Sequence, residues 1–301
     1  MDALLNWGHF VYAIDAESYA ANINMRDSDI WITGERTGAL KYKKADICIL
    51  EHLPDVDAII HCAAETHVDN SIMDASRFVQ TNVVGTHRLL EIARAKRNYQ
   101  MPLFLHISTD EVYGSIATGM TTEASPLNPS SPYAASKAAA DYLVSAYGHT
   151  FGIPYRIMRP SNCYGERQYP EKLIPKAVKY LSLGKPIPIH EGGNAIRSWL
   201  HVKDCVQAIL TVLDRGENGH IYNIGGNTEM SVRGIATAVI DTYGGFDNPA
   251  QMLEFGYTRL GLDARYYVDD TKLRALGWVP QGNFATDLTL LVQQERANIR
   301  W

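Results

Sequence analysis

The stretch Leu103–Gly114, LFLHISTDEVYG, constrains this chain more than any other. It opens as an apolar run of strand length and ends abruptly in Ser108, Thr109, Asp110 and Glu111. An apolar run without alternation predicts a strand buried on both faces, as in a parallel sheet covered by helices. In an open sheet of that kind ligands bind beyond the carboxyl ends of the strands, which is where these hydroxyls and adjacent carboxylates arrive. Farther on, Ser131–Lys137 (SPYAASK) places a tyrosine and a lysine four apart at the head of an alanine-rich helical stretch. That spacing puts Tyr133 and Lys137 on one helical face, where the ammonium is expected to hold the phenol as its phenolate near neutral pH. Together the two stretches predict two acid/base systems in one pocket.

A chain of 301 residues, 46% hydrophobic and 20% charged, is long enough for one large domain or two modest ones. Its net charge of -5 and its lack of any Lys/Arg run argue against a nucleic-acid partner. Cys48, Cys62, Cys163 and Cys205 are widely spaced without a CxxC pair, so neither a zinc site nor a disulfide framework is expected. His61, His67 and His106 lie on or near strand ends without a metal spacing and read as packed or hydrogen-bonded core groups. No apolar run reaches the roughly 18 residues of a membrane span, and the start is unlike a signal peptide. A cytoplasmic enzyme without membrane contact is the expectation.

In chain order, Ala3–Trp7 reads as the tail of a helix and Phe10–Asp15 as a strand ending in an acid. In a dinucleotide-binding unit such an acid meets the adenosine ribose, and a strand with a Gly-rich turn precedes it by about twenty residues. Asp15 has no such stretch ahead of it. The expectation is therefore a truncated version of a longer enzyme that binds its cofactor weakly. Ile30–Gly38 (IWITGERTG) resembles a strand entering a glycine turn, but it follows Asp15 and is read as a surface hairpin. Ala58–Ala64 is a further strand whose small terminal residues allow close approach of a ligand. Ala75–Lys96 has helical periodicity, the helix after Tyr133 runs to about Tyr147, and Pro154–Pro160 is another strand. Strands alternating with helices predict an α/β protein with a Rossmann-like, doubly wound parallel sheet. After Gly165 the pattern changes, with a helix to about Leu183, a short strand at Lys185–His190, and mostly helices from Ser231 to Trp301. The expected division is 1–165 with 193–225 as the dinucleotide-binding domain and 166–192 with 226–301 as a smaller, interleaved α/β substrate domain.

These residues resemble the extended short-chain dehydrogenase/reductases that act on nucleotide sugars, and within them the 4,6-dehydratases. The likeness runs from Val11–Asp15 to Leu276–Pro280 and is carried by Ala63–Asp69 (AAETHVD), Ile107–Gly114, Tyr133–Lys137, Tyr169–Pro175 (YPEKLIP) and Ile196–Leu200 (IRSWL). Thr109-Asp110-Glu111 is the discriminating triplet, because epimerases and decarboxylases of the family lack the Asp-Glu pair. The resemblance implies that Thr109 steadies the reacting hydroxyl, Asp110 is the acid for water loss and Glu111 the base. It implies that Tyr133, with Lys137 beside it, is the base for a first oxidation. It further implies that Asp15, Asp46, Ile47, Ala63, Ala64, Thr66, Thr81, Tyr133 and Lys137 contact NAD. Glu65, Thr109, Asn162, Lys172, Leu173, His190, Arg197 and Arg259 would meet the nucleotide sugar. It also implies a homodimer in which the Thr81–Lys96 and Ala134–Tyr147 helices form a four-helix bundle. The sequence departs from the family in lacking the GxxGxxG loop, and in having Thr258–Leu262 (TRLGL) where the family has Asp-Arg-Pro-Gly-His, which leaves the base open between thymine and another. The rival readings are an NAD-dependent nucleotide-sugar epimerase or decarboxylase, and a cofactor-poor, non-catalytic homologue.

Overall fold

A computed structural model describes residues 1–96 and 100–297. Its elements are α1 (Asp2–Asn6), β1 (Val11–Asp15), α2 (Asp29–Thr37), β2 (Leu40–Lys44), β3 (Ala58–His61), α3 (Val68–Met73), α4 (Ser76–Phe78), α5 (Thr86–Ala95), β4 (Leu103–Ile107), α6 (Pro132–Phe151), β5 (Tyr155–Pro160) and β6 (Asn162–Tyr164). They continue as α7 (Leu173–Ser182), β7 (Ile187–His190), β8 (Ile196–His201), α8 (Val202–Arg215), β9 (His220–Ile224), β10 (Thr228–Ser231), α9 (Val232–Tyr243), β11 (Leu253–Tyr257), α10 (Thr271–Arg274) and α11 (Phe284–Ala297). Residues 298–301, the end of the stretch expected to be mostly helical, lie outside the described residues.

The apolar run at Leu103 is β4, inside a parallel sheet of order β3-β4-β5-β9. Phe104, Leu105 and His106 are fully buried, as expected of a strand covered on both faces. Leu89, Leu90 and Val144 from the flanking helices pack against Phe104 and Ile157, while Ala208 and Val212 of α8 close the other side around Leu105 and Met158. The long periodic stretch from Ala75 is helical, but Val79–Gly85 between α4 and α5 is wound as a π-helix. A second core gathers α7, α9 and α11 around Ile174, Val178, Ile235, Val239, Leu288 and Leu291. Strand β8 joins the two, giving Trp199 to this second core and Leu200 to the first.

Ile30–Gly38 is not a hairpin. It is helix α2, ended by Gly38 in the left-handed conformation with φ of 76°. Trp31 is buried against Tyr42 of β2, with ring centroids 5.3 Å apart, and that packing outweighs the β-propensity of the Ile-Trp-Ile-Thr run.

Strands β1 and β2 form a separate parallel pair. The outer edge of β1 and the outer edge of β3 border one cavity of about 260 Å³ lined by Tyr12, Ile14 and Asp15 on one side and Ala58, Ile60 and His61 on the other. Val11 N donates to Ala39 O and Ala45 N to Asp15 O, so the odd residues of β1 face β2. Leu103 N donates to Asp57 O, so the odd residues of β3 face β4. In a parallel ladder the backbone polar groups of Tyr12, Ile14, Ala58 and Ile60 then point into the cavity.

Candidate active site

The site begins where β4 stops. Ser108 N still donates to Met158 O of β5 at 2.7 Å, and then the chain turns into the short 3₁₀ segment Asp110–Tyr113. Thr109 caps that turn by accepting from Glu111 N at 3.3 Å. Gly114 closes it with φ of 73°, where a Cβ would lie 2.1 Å from Asn128 O, so only glycine fits. Asp110 and Glu111 are thus fixed at the carboxyl edge of the sheet. Helix α6 starts at the same edge, with Ser131 Oγ accepting from Ala134 N at 3.1 Å and Pro132 at its first position. Tyr133 and Lys137 are both buried, and Lys137 Nζ donates to Ile107 O at 2.7 Å, which ties the helix to the end of β4.

Electrostatics separate the two carboxyls. Burial, then Glu111 beside it, pushes Asp110 up to about 8 against the pull of Arg197. Its Oδ2 is buried without a hydrogen-bond partner, as suits an acid that still carries a proton to give. Burial also raises Glu111, but Arg197, Arg259 and Lys172 all oppose that rise, so it ionises more readily than its neighbour. Two adjacent carboxyls with environments that pull apart are the arrangement needed for one acid and one base. Tyr133 differs from its sequence-based expectation. Burial, then Glu111 and Asp110, raise its phenol above the ordinary value, only the Thr109 hydroxyl among its close partners lowers it, and the Lys137 ammonium is directed at a backbone carbonyl. Burial brings Lys137 down to about 8, opposed by Asp141 and Cys62.

Beside this edge lies a cavity of about 240 Å³ bordered by Glu111, Asn162, Lys172, Leu173, His190, Arg197 and Arg259. Apart from the catalytic candidate Glu111 these are substrate-side candidates, joined there by Thr66 from the cofactor-side set. Arg197 is immobilised: its guanidinium donates to Ile196 O at 2.8 Å and Asp263 O at 2.9 Å and lies 4.3 Å over the Tyr266 ring. Arg259 Nε pairs with Asp69 at 2.6 Å, and Lys172 Nζ reaches Thr66 at 3.4 Å. Lys172, Lys176, Arg197 and Arg259, four cations around a partly open cavity, suit a diphosphate. Glu65 lies outside this lining, its backbone N–H donating to Asn82 Oδ1 at 2.8 Å. Of the cofactor candidates, Asp15, Ile47 and Ala63 border the cavity between β1 and β3, and no glycine lines it. Asp46, Ala64 and Thr81 are not part of that lining. Asp46 Oδ1 accepts from Cys48 N at 2.8 Å, and Thr81 sits on the π-helical stretch.

Asn82, Asp263 and Tyr266 were not singled out in the sequence. Buried Asn82 accepts from Glu65 N and donates to Glu65 O at 3.0 Å and Ser136 Oγ at 2.9 Å, holding the loop after β3 to α6. Its signal was a lone amide on an otherwise apolar helical face. Asp263 accepts from Ser130, 133 residues away, and from Tyr266, and the first contact leaves no mark in local spacing. No group of His, Cys, Asp and Glu among the described residues could hold a metal, and no described helix is long and apolar enough to cross a membrane.

A dTDP-glucose 4,6-dehydratase of Haemophilus influenzae is 41% identical over 97% of this chain and 90% of its own length. The crystal structure of a dTDP-glucose 4,6-dehydratase from Streptomyces venezuelae with NAD bound superposes with a TM-score of 0.89 at 38% identity, covering 99% of this chain and 93% of that one. A UDP-glucuronic acid 4-epimerase from Bacillus cereus shares the fold at a TM-score of 0.85 but only 25% identity, over 97% and 94% of the two chains. The sequence matches the family described as GDP-mannose 4,6 dehydratase over residues 1–289. The segments that build the Asp110–Glu111 turn, the Tyr133 helix and the cationic cavity all fall within that match, and the chain belongs to this family of extended short-chain dehydrogenase/reductases.

Proposed function

We propose that this chain is an NAD-dependent nucleotide-sugar 4,6-dehydratase that converts dTDP-glucose, or a closely related NDP-glucose, to its 4-keto-6-deoxy sugar. The observation that carries the reading is the Asp110–Glu111 pair at the end of β4, one carboxyl held protonated and the other surrounded by cations, beside Tyr133. An epimerase needs the tyrosine but has no use for an acid and a base side by side.

Loss of the C6 hydroxyl is difficult until the C5 proton is acidified, and a ketone at C4 does that. When bound, NAD supplies the oxidising and reducing equivalents at C4 and C6 and ends unchanged. The residues present fit it at both ends: Asp15 with Ile47 and Ala63 would face the adenosine, and Tyr133 with Lys137 the nicotinamide. Asp46, Ala64, Thr66 and Thr81 are assigned to the same ligand. Tyr133 accepts the C4 hydroxyl proton in its ionised form, which the Thr109 hydroxyl favours, and Thr109 also steadies that oxygen. Glu111 removes the C5 proton as Asp110 gives one to the departing C6 hydroxyl, and the burial of Asp110 keeps bulk water from intercepting it. Lys172, Arg197, Arg259 and His190 hold the diphosphate, and Glu65, Asn162 and Leu173 position the sugar nucleotide. Leu262, which also borders the cavity, marks the departure that leaves the base open.

We also assign a homodimer. Val79, Val84 and Tyr142 are 51%, 39% and 64% exposed on the helical layer formed by the Val79–Gly85 stretch, α5 and α6, while Leu89, Leu90 and Val144 of that layer pack on the sheet. Exposed apolar side chains clustered on one layer favour a second copy.

Incubation with NAD and either dTDP-glucose or UDP-glucose, followed by mass spectrometry, tests the activity. The expected product has lost one water and carries a 4-keto group. A product of unchanged mass with an inverted C4 would establish the epimerase instead.

A further inference from the structure

The turn that carries Asp110 and Glu111 needs an anchor. A four-residue 3₁₀ segment has poor hydrogen-bond geometry and little stability of its own. Asp110 does not supply the anchor: its Oδ1 accepts from Thr109 Oγ1 at 3.5 Å, the outer limit of a hydrogen bond, and its Oδ2 is buried without a partner. The last residue of the turn, Tyr113, is buried and bonded at both ends of its hydroxyl. Arg159 Nη1 of β5 donates to Tyr113 OH at 2.7 Å, and Tyr113 OH donates to Asn223 Oδ1 of β9 at 2.7 Å. Arg159 and Asn223 are neighbours in register across the two strands, so the hydroxyl is held against the centre of the sheet.

Resting on the reading of Asp110 and Glu111 as acid and base, we propose that Tyr113 is a positioning residue for that pair: its hydroxyl, held between Arg159 and Asn223, pins the end of the turn to β5 and β9 and so sets where the two carboxyls stand. The directions of the bonds leave the hydroxyl no freedom. A guanidinium can only donate, so Tyr113 must give its own proton to Asn223. Both partners are fixed in turn. Asn223 Nδ2 donates to Thr121 O at 3.3 Å and Asp269 O at 3.2 Å, its backbone N–H donates to Glu123 Oε1 at 3.0 Å, and Arg159 Nε donates to Asp141 Oδ2 at 2.9 Å. On its other side the turn is closed by the following loop, where Asn128 N donates to Val112 O at 3.0 Å. The ring of Tyr113 packs in one cluster with Val112, Ala138 and Val268, and a phenylalanine would fill that space as well. The hydroxyl is the part that ties the turn to the strands.

The test compares Tyr113→Phe with Tyr222→Phe, which deletes another buried tyrosine hydroxyl, the acceptor for Glu217 N at 2.8 Å, one residue from Asn223. Amide hydrogen exchange of the whole chain needs neither cofactor nor turnover and so separates this proposal from the dehydratase reading. Glu111 N and Gly114 N are both bonded within the turn. Relative to Leu105 they should exchange about tenfold faster in Tyr113→Phe and keep their wild-type rates in Tyr222→Phe. In turnover of dTDP-glucose with NAD, Tyr113→Phe should lower kcat by about 10²-fold with KM within about threefold, the split that misplaced reacting groups produce. Tyr222→Phe should change neither constant, whatever it costs in melting temperature. Arg159→Lys keeps a cation beside Asp141 but removes the donor to Tyr113, and should move exchange and kcat in the same directions. Wild-type exchange at Glu111 and Gly114 in Tyr113→Phe, or faster exchange with kcat unchanged, overturns the proposal. A wild-type chain that does not turn over overturns the dehydratase reading and leaves the exchange rates to decide this one. Failure of both Tyr113→Phe and Arg159→Lys to fold assigns the network to architecture alone and overturns the proposal equally.

Discussion

At the scale of single residues, the sheet edge sets proton affinities as much as positions. Tyr133→Phe removes the group proposed to take the C4 proton, and turnover should fall by ~10²–10⁴ fold, as for other general bases. A variant that retains more than about a tenth of wild-type turnover contradicts the assignment. Asp110 gives a pH signature. Its folded pKa, raised from 3.8 to about 8, makes the folded chain bind more protons than the unfolded one between those values. Stability therefore declines as pH rises through that window, and the acid needed for water loss disappears above about 8. Asp110→Asn should flatten the decline in melting temperature across that window and lower kcat even at mildly acidic pH. A slope unchanged from wild type would mean that Asp110 is ionised in the fold. Thr109, Asp110, Glu111, Tyr133 and Lys137 were all legible in the sequence because each sits at a fixed offset from a strand end or helix start. The state of Tyr133 was not. Its phenol is governed by burial and by Glu111 and Asp110 across the pocket, and spacing along α6 shows only its lysine.

At the scale of elements, β4, β5, α6 and the Ala58 strand announced themselves through unbroken apolar runs and helical periodicity. Helix α2 did not, because its Ile, Trp and Thr residues favour strands in isolation and become helical only where Trp31 packs on Tyr42. Its Gly38 cap was visible in the sequence but was read as a turn. The split between β1 and β3 is the main departure from a continuous doubly wound sheet. Backbone groups of Tyr12, Ile14, Ala58 and Ile60 face a cavity rather than a neighbouring strand. Amide hydrogen exchange should therefore be much faster at those positions than at Leu105 or Ile157 in the covered centre. Equal protection at Ile60 and Leu105 would show that the edge is paired.

For the whole molecule, the two cores meet at β8, which presents Arg197 to the cationic cavity while Trp199 and Leu200 anchor opposite sides. That junction puts Arg197, Lys172 and Arg259 in one lining with Glu111, so the proposed diphosphate site would adjoin the proposed acid/base edge. The exposed Val79 and Tyr142 predict a dimer of this chain, and light scattering at micromolar concentration should give twice the mass of 33.5 kDa. A monodisperse monomer would leave that apolar layer unexplained. Hydrogen borrowed from C4 is expected to return to C6 after Glu111 and Asp110 have removed water. Turnover of dTDP-glucose carrying deuterium at C4, with the product analysed by NMR, tests this directly. The expected product is a 4-keto-6-deoxy sugar with the deuterium at C6. Deuterium recovered at C4 of an intact hexose, or lost to solvent, would contradict it.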